Sequence, residues 1–307
     1  MINNYSFSTV WNCSKHSNGV DIVSEINDLG FNTIELNFQF TNEKLQGIID
    51  CVDKEKINIS SIHNYCPIPD IIPLDQANPD KPSLASNQES ERAKAVMYTK
   101  HTINTASQVG AKVVILHSGK VEIECRTKEL IALYNSKAKE SKRYKKVLNE
   151  AIDDRGNNVK EHFDALATSY SELVPYAKGK GIKIGVENRY YHRELPSPDE
   201  LNELFKYFNN NVLWYWHDIG HAFVLETLGF YKQQQFLESF HKKMIGIHIH
   251  DIIKLKDHNA PFQGEFNWHF LRQYQMRDVL KVIEVHAHNS RDDIIGGIKR
   301  LDSEVFS

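Results

Sequence analysis

Residues 112–116, KVVIL, are the part of the sequence from which the fold is most directly predicted. After Lys112 it is an uninterrupted apolar run, which is typical of a buried parallel strand. The preceding stretch, Glu89–Val109, is predicted to be a helix, and Gly110 is a natural end for it because glycine readily adopts the left-handed conformation found at helix C-termini. This helix–strand order predicts an α/β fold with a parallel sheet.

The same strand–helix unit repeats along the whole chain. Further strands are predicted at Tyr5–Val10, Thr33–Leu36, Ile57–Ile62, Ile182–Val186, Val212–His217, Met244–Ile249 and Val279–Val285. Eight such units without a change in composition predict a single (β/α)8 TIM barrel over residues 1–307. The alternative, an open doubly wound sheet, is disfavoured because the chain has no G-x-G-x-x-G motif and no P-loop.

A polar, lysine-rich segment follows the fourth strand. It spans Lys120–Asn158 and is predicted to be a helical insertion whose charged residues face solvent. The regular pattern resumes with a helix at Val159–Lys180. The barrel is therefore expected to carry an insertion after strand four.

The composition restricts the classes of function. The chain of 307 residues has a net charge of −3 and a pI near 6.6, so no basic excess favours nucleic acid. Its four cysteines form neither a C-x-x-C pair nor a disulfide framework, which suits a reducing cytoplasm. The first residues lack a charged region followed by an apolar one, so no signal peptide is expected, and no apolar run approaches the roughly 20 residues that span a membrane. We expect a cytoplasmic protein that acts on a small molecule, and a homo-oligomer is left open.

Residues able to bind a metal end six consecutive predicted strands. In a TIM barrel the active site lies at the C-terminal ends of the strands. These ends carry His63, His117, Glu187, Asp218 with His221, His248 with His250 and Asp251, and Glu284 with His286. Side chains alternate along a strand, so Glu187 shares a face with Gly185 while the apolar residues between them face the helices. The metal-binding side chains are therefore predicted to converge in the mouth of the barrel.

The residue types at these strand ends predict a divalent-metal site. Several carboxylates close together repel one another, and a bound cation removes that repulsion. An oxygen-rich set with one imidazole suits Mn²⁺, Mg²⁺ or Co²⁺, with Zn²⁺ as an alternative. The predicted ligands are Glu187, Asp218, His248 and Glu284. Candidates for binding further ions, where Zn²⁺ is better suited, are His63, His117, His221 and His258.

Three segments resemble the xylose isomerase-like superfamily of TIM barrels, which contains sugar isomerases and epimerases and the endonuclease IV group of DNA-repair enzymes. They are ENRYYHRELPSPDE (187–200), YWHDIGHA (215–222) and IHIHDIIKLKDHNAPFQGEFNW (247–268). The resemblance covers nearly the whole chain. These segments look most like bacterial proteins labelled sugar phosphate isomerase/epimerase.

The resemblance implies site residues position by position. It matches the superfamily's shared metal ligands to Glu187, Asp218, His248 and Glu284. It matches further ligands of the endonuclease branch to His63, His117, His221 and His258, the last being the histidine of a D-x-H motif.

The chain departs from the endonuclease pattern after strand seven. Lys256 stands where the D-x-H motif has its Asp, and Asp257 is one position out of register. Phe262 replaces the first Gly of a G-x-G turn. We therefore expect a site for one or two ions rather than three.

The resemblance also implies a reaction, the metal-dependent isomerisation or epimerisation of a sugar or sugar derivative. Glu187 and Glu284 would exchange a proton beside the substrate carbonyl, through an enediolate that the metal stabilises. Candidates for binding substrate oxygens are Arg189, Lys254 and His221. Two alternatives stay open: a zinc phosphodiesterase acting on abasic DNA, and a lyase or dehydratase acting on a cyclic polyol or keto-glycoside. A non-catalytic sugar-binding barrel is disfavoured because it would not need two opposed carboxylates.

Overall fold

The structure is a computed structural model that describes residues 4–306, and it forms a closed barrel of parallel strands. The barrel strands are β1 (Ser6–Ser8), β2 (Thr33–Leu36), β3 (Asn58–His63), β4 (Val113–Leu116), β5 (Lys183–Glu187), β6 (Leu213–Asp218), β7 (Met244–Ile249) and β10 (Leu280–Ile283). β1 pairs with both β2 and β10, which closes the ring. A separate antiparallel hairpin consists of β8 (Asp251–Ile253) and β9 (Lys256–Asn259). Residues 1–3 and 307 of the predicted domain lie outside the described residues.

Helices cover the outside of the barrel. Most begin after a polar residue whose side chain accepts a hydrogen bond from the first turn, as Thr41 does before α2. Their bounds are α1 (Gly19–Asp28), α2 (Asn42–Asp53), α3 (Glu89–Gln108), α4 (Thr127–Asn135), α5 (Lys142–Lys180), α6 (Pro198–Tyr207), α7 (Ile219–Leu228), α8 (Gln233–Phe240) and α9 (Arg291–Glu304). Among residues 4–306, no helix has the length and apolar character needed to span a membrane.

The TIM barrel predicted from the sequence is confirmed. The predicted bounds of β2 and β7 match the observed ones, and the other barrel strands differ by a few residues. β1 ends early because Thr9–Trp11 form a 3₁₀ turn. The sequence does not predict α7 or the β8–β9 hairpin.

The lysine-rich segment after β4 differs from the prediction. The sequence predicts a helix from Val159, but α5 begins at Lys142 and runs for 39 residues without a break. Ser141 caps it, and buried residues at helical spacing continue from Tyr144 to Leu166 across the predicted boundary. This buried stripe, rather than the charged residues around it, determines the helix. Residues 117–141, which include α4, separate β4 from α5.

Trp216 fills the barrel interior beneath the mouth. It packs with Val113, Ile115 and Val282. A Cβ atom on Gly246 would overlap the indole ring, so glycine is required there for Trp216 to fit. The indole lies edge-on beneath the imidazole of His248, with ring centroids 5.1 Å apart. Trp216 therefore forms the floor on which the candidate site rests.

Candidate metal and active site

Four side chains from the C-terminal ends of neighbouring barrel strands meet on this floor, and we call them the tetrad. They are Glu187 of β5, Asp218 of β6, His248 of β7 and Glu284 directly after β10. His248 Nδ1 lies 2.7 Å from Glu187 Oε1 and 3.1 Å from Glu284 Oε2. The same nitrogen lies 3.6 Å from Asp218 Oδ2. The structure thus brings together the four residues that the sequence predicts as metal ligands.

Two further predicted residues, His63 and His117, lie beside Glu187, and we call this pair the β3–β4 flank. His63 ends β3 and His117 directly follows β4. Their Nε2 atoms lie 3.7 Å and 2.9 Å from Glu187 Oε2. His63, His117 and Glu187 each offer one donor atom, and these atoms lie within 4.8 Å of one another. One cation could therefore bind all three.

A second group, which we call the hairpin flank, consists of His221, Asp257 and His258. The Nε2 atoms of both histidines face Asp257 Oδ2, at 3.8 Å from His221 and 3.7 Å from His258. Asp257 is one position out of register with the D-x-H motif, yet its side chain faces both histidines. His258 has a φ of 57°, and this left-handed backbone places its side chain beside that of Asp257, although neighbours in a regular strand point to opposite faces. The register of Asp257 therefore does not by itself argue against an ion in this flank, and the number of ions stays a prediction.

Backbone carbonyls orient three of these imidazoles. Nδ1 of His63 lies 2.9 Å from the carbonyl oxygen of the next residue, and Nδ1 of His221 lies 2.9 Å from that of Asn188. Nδ1 of His258 lies 3.1 Å from the carbonyl oxygen of Glu284. A carbonyl only accepts, so Nδ1 carries the proton and Nε2 directs a lone pair towards the carboxylates. Metal-binding histidines are typically oriented in this way.

His248 is oriented by a buried carboxylate instead. Its Nε2 lies 3.1 Å from Glu35 Oε1, on the side away from the tetrad. Glu35 belongs to β2 and is fully buried, and its second oxygen accepts a hydrogen bond of 2.7 Å from Ser61 Oγ. Glu35 therefore positions His248, a role that the sequence leaves undecided.

His250 positions Asp218 rather than binding a metal. Its ring lies near His258 and Glu284, close enough to share a cation with them. However, its Nδ1 accepts a hydrogen bond of 2.9 Å from the His258 backbone N–H, which places the imidazole proton on Nε2. Nε2 then donates to the carboxylate of Asp218, at 3.0 Å from the nearer oxygen. Neither nitrogen keeps a free lone pair. His250 is therefore not a metal ligand in this arrangement, although it lies close to His258 and Glu284.

Arg189 lies in the site and Lys254 does not. Nη1 of Arg189 lies 3.0 Å from Glu187 Oε2, and Nη2 lies 3.5 Å and 3.6 Å from carboxylate oxygens of Asp80 and Glu194. The guanidinium is thus surrounded by three carboxylates. Its positive charge compensates their negative charge and is not free to bind a substrate anion. Lys254 lies at the exposed turn of the β8–β9 hairpin, so its predicted contact with substrate is not supported.

A cavity of about 490 Å³ opens onto these side chains. Its apolar wall includes Phe38 and Pro79. The aromatic side chains of Trp11, Tyr65 and Trp216 are buried and do not line the cavity. Larger grooves lie near Arg155 and near Trp214, away from the tetrad.

Burial and charge give the two tetrad glutamates opposite protonation states. Burial acts to raise the pKa of Glu187, but hydrogen bonds from His117 and His248 outweigh it and hold that pKa well below its usual value. Burial, together with the negative charges of Glu35 and Asp218, raises the pKa of Glu284 to about 8. Near neutral pH, without a cation, Glu187 is ionised and Glu284 holds a proton.

The donor set fits divalent cations. The three tetrad carboxylates are at most 8% exposed and converge on one point, an arrangement that is unfavourable unless positive charge compensates it. The tetrad is rich in oxygen donors, which suits Mn²⁺, Mg²⁺ or Co²⁺. The two flanks contribute more imidazole, which suits Zn²⁺.

The sequence misses the role of two site residues, Asp257 and Asp80. Asp257 adjoins a recognised histidine, but only the backbone conformation reveals that both face the same way. Asp80 belongs to the irregular loop between β3 and α3, and its Oδ1 lies 3.3 Å from His117 Nδ1. No periodic pattern marks a residue in such a loop.

The chain is similar in sequence to known proteins. The pattern of the xylose isomerase-like TIM barrel family matches residues 23–303. An uncharacterised protein of Methanocaldococcus jannaschii, MJ1311, is 32% identical over 146 residues. The match covers 45% of this chain and 48% of that protein, so the chain spans about half the length of this curated relative.

Two solved structures share the fold over nearly their full length. A D-tagatose 3-epimerase-like protein has a TM-score of 0.64 and 20% identity, covering 97% of this chain and 96% of that one. The apo form of 3-keto-D-glucoside 4-epimerase YcjR from E. coli has a TM-score of 0.67 and 11% identity, covering 98% and 99%. Identities this low show a common fold and no more.

Proposed function

The chain belongs to the xylose isomerase-like TIM barrel family, and we propose that it is a divalent-metal-dependent isomerase or epimerase of a sugar or sugar derivative. One observation carries the proposal: Glu187 and Glu284 approach the same nitrogen of His248, at 2.7 Å and 3.1 Å. Two carboxyl groups at the floor of one cavity can remove a proton from a substrate carbon and return one.

The tetrad would hold the cation, while Glu187 and Glu284 move the proton. A divalent cation bound there would polarise the substrate carbonyl and stabilise the negative charge that develops on its oxygen. Glu187 is kept ionised by His117 and His248, which suits it to abstract the proton beside the carbonyl. Glu284, whose Oε2 lies 3.1 Å from the same His248 nitrogen, would return a proton to the substrate. Return to the opposite face gives an epimer, and return to the neighbouring carbon gives an isomer.

The names of similar structures support a sugar substrate by analogy alone. They refer to tagatose and to a keto-glucoside, at 20% and 11% identity. Because one fold carries many reactions, the argument depends on the site rather than on these names. At the tetrad we expect Mn²⁺, Mg²⁺ or Co²⁺, and Zn²⁺ becomes more suitable in the flanks.

Deuterium exchange tests the proposal. The metal-loaded protein is incubated in D₂O with a panel of ketoses, inososes and keto-glycosides, and proton NMR follows the C–H beside each carbonyl. We expect metal-dependent exchange that Glu187→Gln and Glu284→Gln abolish. The control is Glu172→Gln, at an exposed position on α5. Exchange at the wild-type rate in either tetrad variant would remove the proton-transfer role. In the same spectra, an unsaturated product would instead indicate a lyase or dehydratase.

A second candidate function, hydrolysis of a phosphodiester in abasic DNA, is favoured by the hairpin flank. With Asp257 beside His221 and His258, donor groups for additional ions adjoin the tetrad, and clusters of metal ions suit phosphate ester hydrolysis. The net charge of −3 counts against DNA binding. Zn²⁺-dependent nicking of an abasic duplex, lost in His258→Asn, would replace the sugar proposal. A cytoplasmic location, a single domain and a homo-oligomer stay predictions.

A further inference from the structure

Asp80 reaches the β3–β4 flank from outside the barrel. It lies in the loop between β3 and α3, and its side chain is 14% exposed. Its Oδ1 lies 3.3 Å from His117 Nδ1, and its Oδ2 lies 3.5 Å from Arg189 Nη2. One loop carboxylate thus contacts a side chain that follows β4 and one that follows β5.

The contact with His117 joins two groups that lack other partners. Asp80 Oδ1 and His117 Nδ1 are both buried, and within residues 4–306 neither makes a hydrogen bond of good geometry. Each is a complementary group for the other, since a carboxylate oxygen accepts and an imidazole N–H donates. A small rotation of either side chain would complete the bond.

His117 differs here from the other histidines of the two flanks. His63, His221 and His258 are oriented by backbone carbonyls at 2.9–3.1 Å, which the fold itself supplies. For His117 the group at Nδ1 is a side chain from a loop. Its Nε2 nevertheless points at the site, 2.9 Å from Glu187 Oε2.

We infer that Asp80 is a positioning residue: it holds the proton of His117 on Nδ1 and so directs Nε2 towards a cation shared with His63 and Glu187. The inference rests on the proposed metal site. It adds that binding of the ion at the β3–β4 flank depends on Asp80, a residue of the loop between β3 and α3. The tetrad does not contain His117, so the ion at the tetrad should depend on Asp80 less than the ion at the β3–β4 flank does.

Arg189 fixes Asp80 from the other side. Its guanidinium bridges Asp80 and Glu187, with Nη1 3.0 Å from Glu187 Oε2. Because this charge pair holds the carboxylate against His117, Asp80→Asn keeps an acceptor oxygen but weakens the pairing, and Asp80→Ala removes both. A graded effect, with alanine worse than asparagine, is therefore expected.

Cobalt titration of the metal-stripped, full-length protein tests the inference. Calorimetry gives the stoichiometry and affinities, and visible absorption reports the coordination of each ion. In the wild type we expect one ion at the tetrad and another at the β3–β4 flank, the latter removed by His117→Asn. Asp80→Ala should weaken the flank ion by roughly 10- to 100-fold and the tetrad ion much less, with Asp80→Asn in between. The control, Asp75→Asn, changes an exposed carboxylate of the same loop and should titrate like the wild type.

The outcomes separate the inference from the proposed function. Unchanged binding of the flank ion in both Asp80 variants would overturn the inference alone, as would a wild type without an ion that depends on His117. A wild-type protein that binds no Co²⁺ at all would overturn the proposed metal site as well. Thermal melting of the metal-free variants identifies a folding defect, and Asp80→Asn, which preserves side-chain shape, decides the matter if the alanine variant does not fold.

Discussion

The two flanks of the tetrad are built in different ways. In the β3–β4 flank, His63 and His117 lie at the ends of barrel strands, and the alternation of side chains sets their direction. In the hairpin flank, His221 lies on the first turn of α7, while Asp257 and His258 lie on β9 outside the barrel sheet. One flank thus depends on the barrel and the other on local backbone conformation.

The two flanks should also differ in how strongly they depend on the contacts around them. The hairpin region contains several non-glycine residues with positive φ, namely Lys254, Leu255, His258 and Phe262. Such a conformation costs about 1–3 kcal/mol per residue and persists only where the surroundings enforce it. The hairpin flank should therefore be the more sensitive of the two to changes in its supporting contacts.

Glu187→Gln should have the largest effect, because Glu187 belongs both to the tetrad and to the group with His63 and His117. We expect turnover to fall by about 10²- to 10⁴-fold, as for loss of an acid–base group. Metal analysis should find loss from the tetrad and the β3–β4 flank, with metal retained in the hairpin flank. Equal loss from all three would contradict the division into flanks. Glu172→Gln is again the matched control.

Paired substitutions would test whether the flanks are independent. His117→Asn and His258→Asn each remove an imidazole, and asparagine tolerates the positive φ at position 258 better than most residues. Each should lower metal affinity in its own flank, at least about tenfold. The measurement is Zn²⁺ competition with a chromogenic chelator. Weakening of both flanks by either variant would mean that they behave as one cluster.

His192, which lies outside both flanks, should make the stability of the folded protein depend on pH. His192 stacks on Phe230 with ring centroids 3.9 Å apart, and burial lowers its pKa to about 3. The unfolded chain binds this proton near pH 6.5, whereas the folded protein binds it only near pH 3. Stability is therefore lost as the pH falls below about 6.5, by up to about 1.4 kcal/mol per pH unit.

His192→Phe should reduce this acid sensitivity. The melting temperature, followed by circular dichroism at pH 7.5 and pH 5, should fall less on acidification in this variant than in the wild type. His101→Gln, at an exposed position on α3, is the control. An unchanged pH dependence in His192→Phe would exclude His192 as its source.

Tyr190→Phe should have the smallest effect and would sharpen the comparison most. The Tyr190 hydroxyl donates a hydrogen bond of 2.6 Å to the carbonyl oxygen of Leu255 and so ties the segment after β5 to the hairpin turn. Its loss should cost about 1 kcal/mol in the free energy of unfolding. Metal affinity should weaken in the hairpin flank but not in the β3–β4 flank. The opposite pattern would refute the greater sensitivity of the hairpin.

The sequence predicts the residues that the barrel itself positions. The end of β5 and the end of β6 are recognisable from apolar runs, so Glu187 and Asp218 can be assigned to one rim before any coordinates exist. His258 is harder, since its role with Asp257 depends on a backbone angle that no pattern of residues specifies. Asp80 is hardest, because it is brought to His117 by an irregular loop. The bounds of α5 fail for another reason: abundant lysines obscure the buried stripe that begins at Tyr144.

The floor of the mouth provides a spectroscopic signal. Trp216 is fully buried, and its indole lies 5.1 Å from the His248 ring of the tetrad. A Co²⁺ ion at the tetrad should quench Trp216 emission, whereas Mg²⁺ at the same position should not, because only Co²⁺ is paramagnetic and has a partly filled d shell that can accept the excitation energy of the indole. Fluorescence would therefore report binding of Co²⁺ at the mouth of the barrel without an added dye.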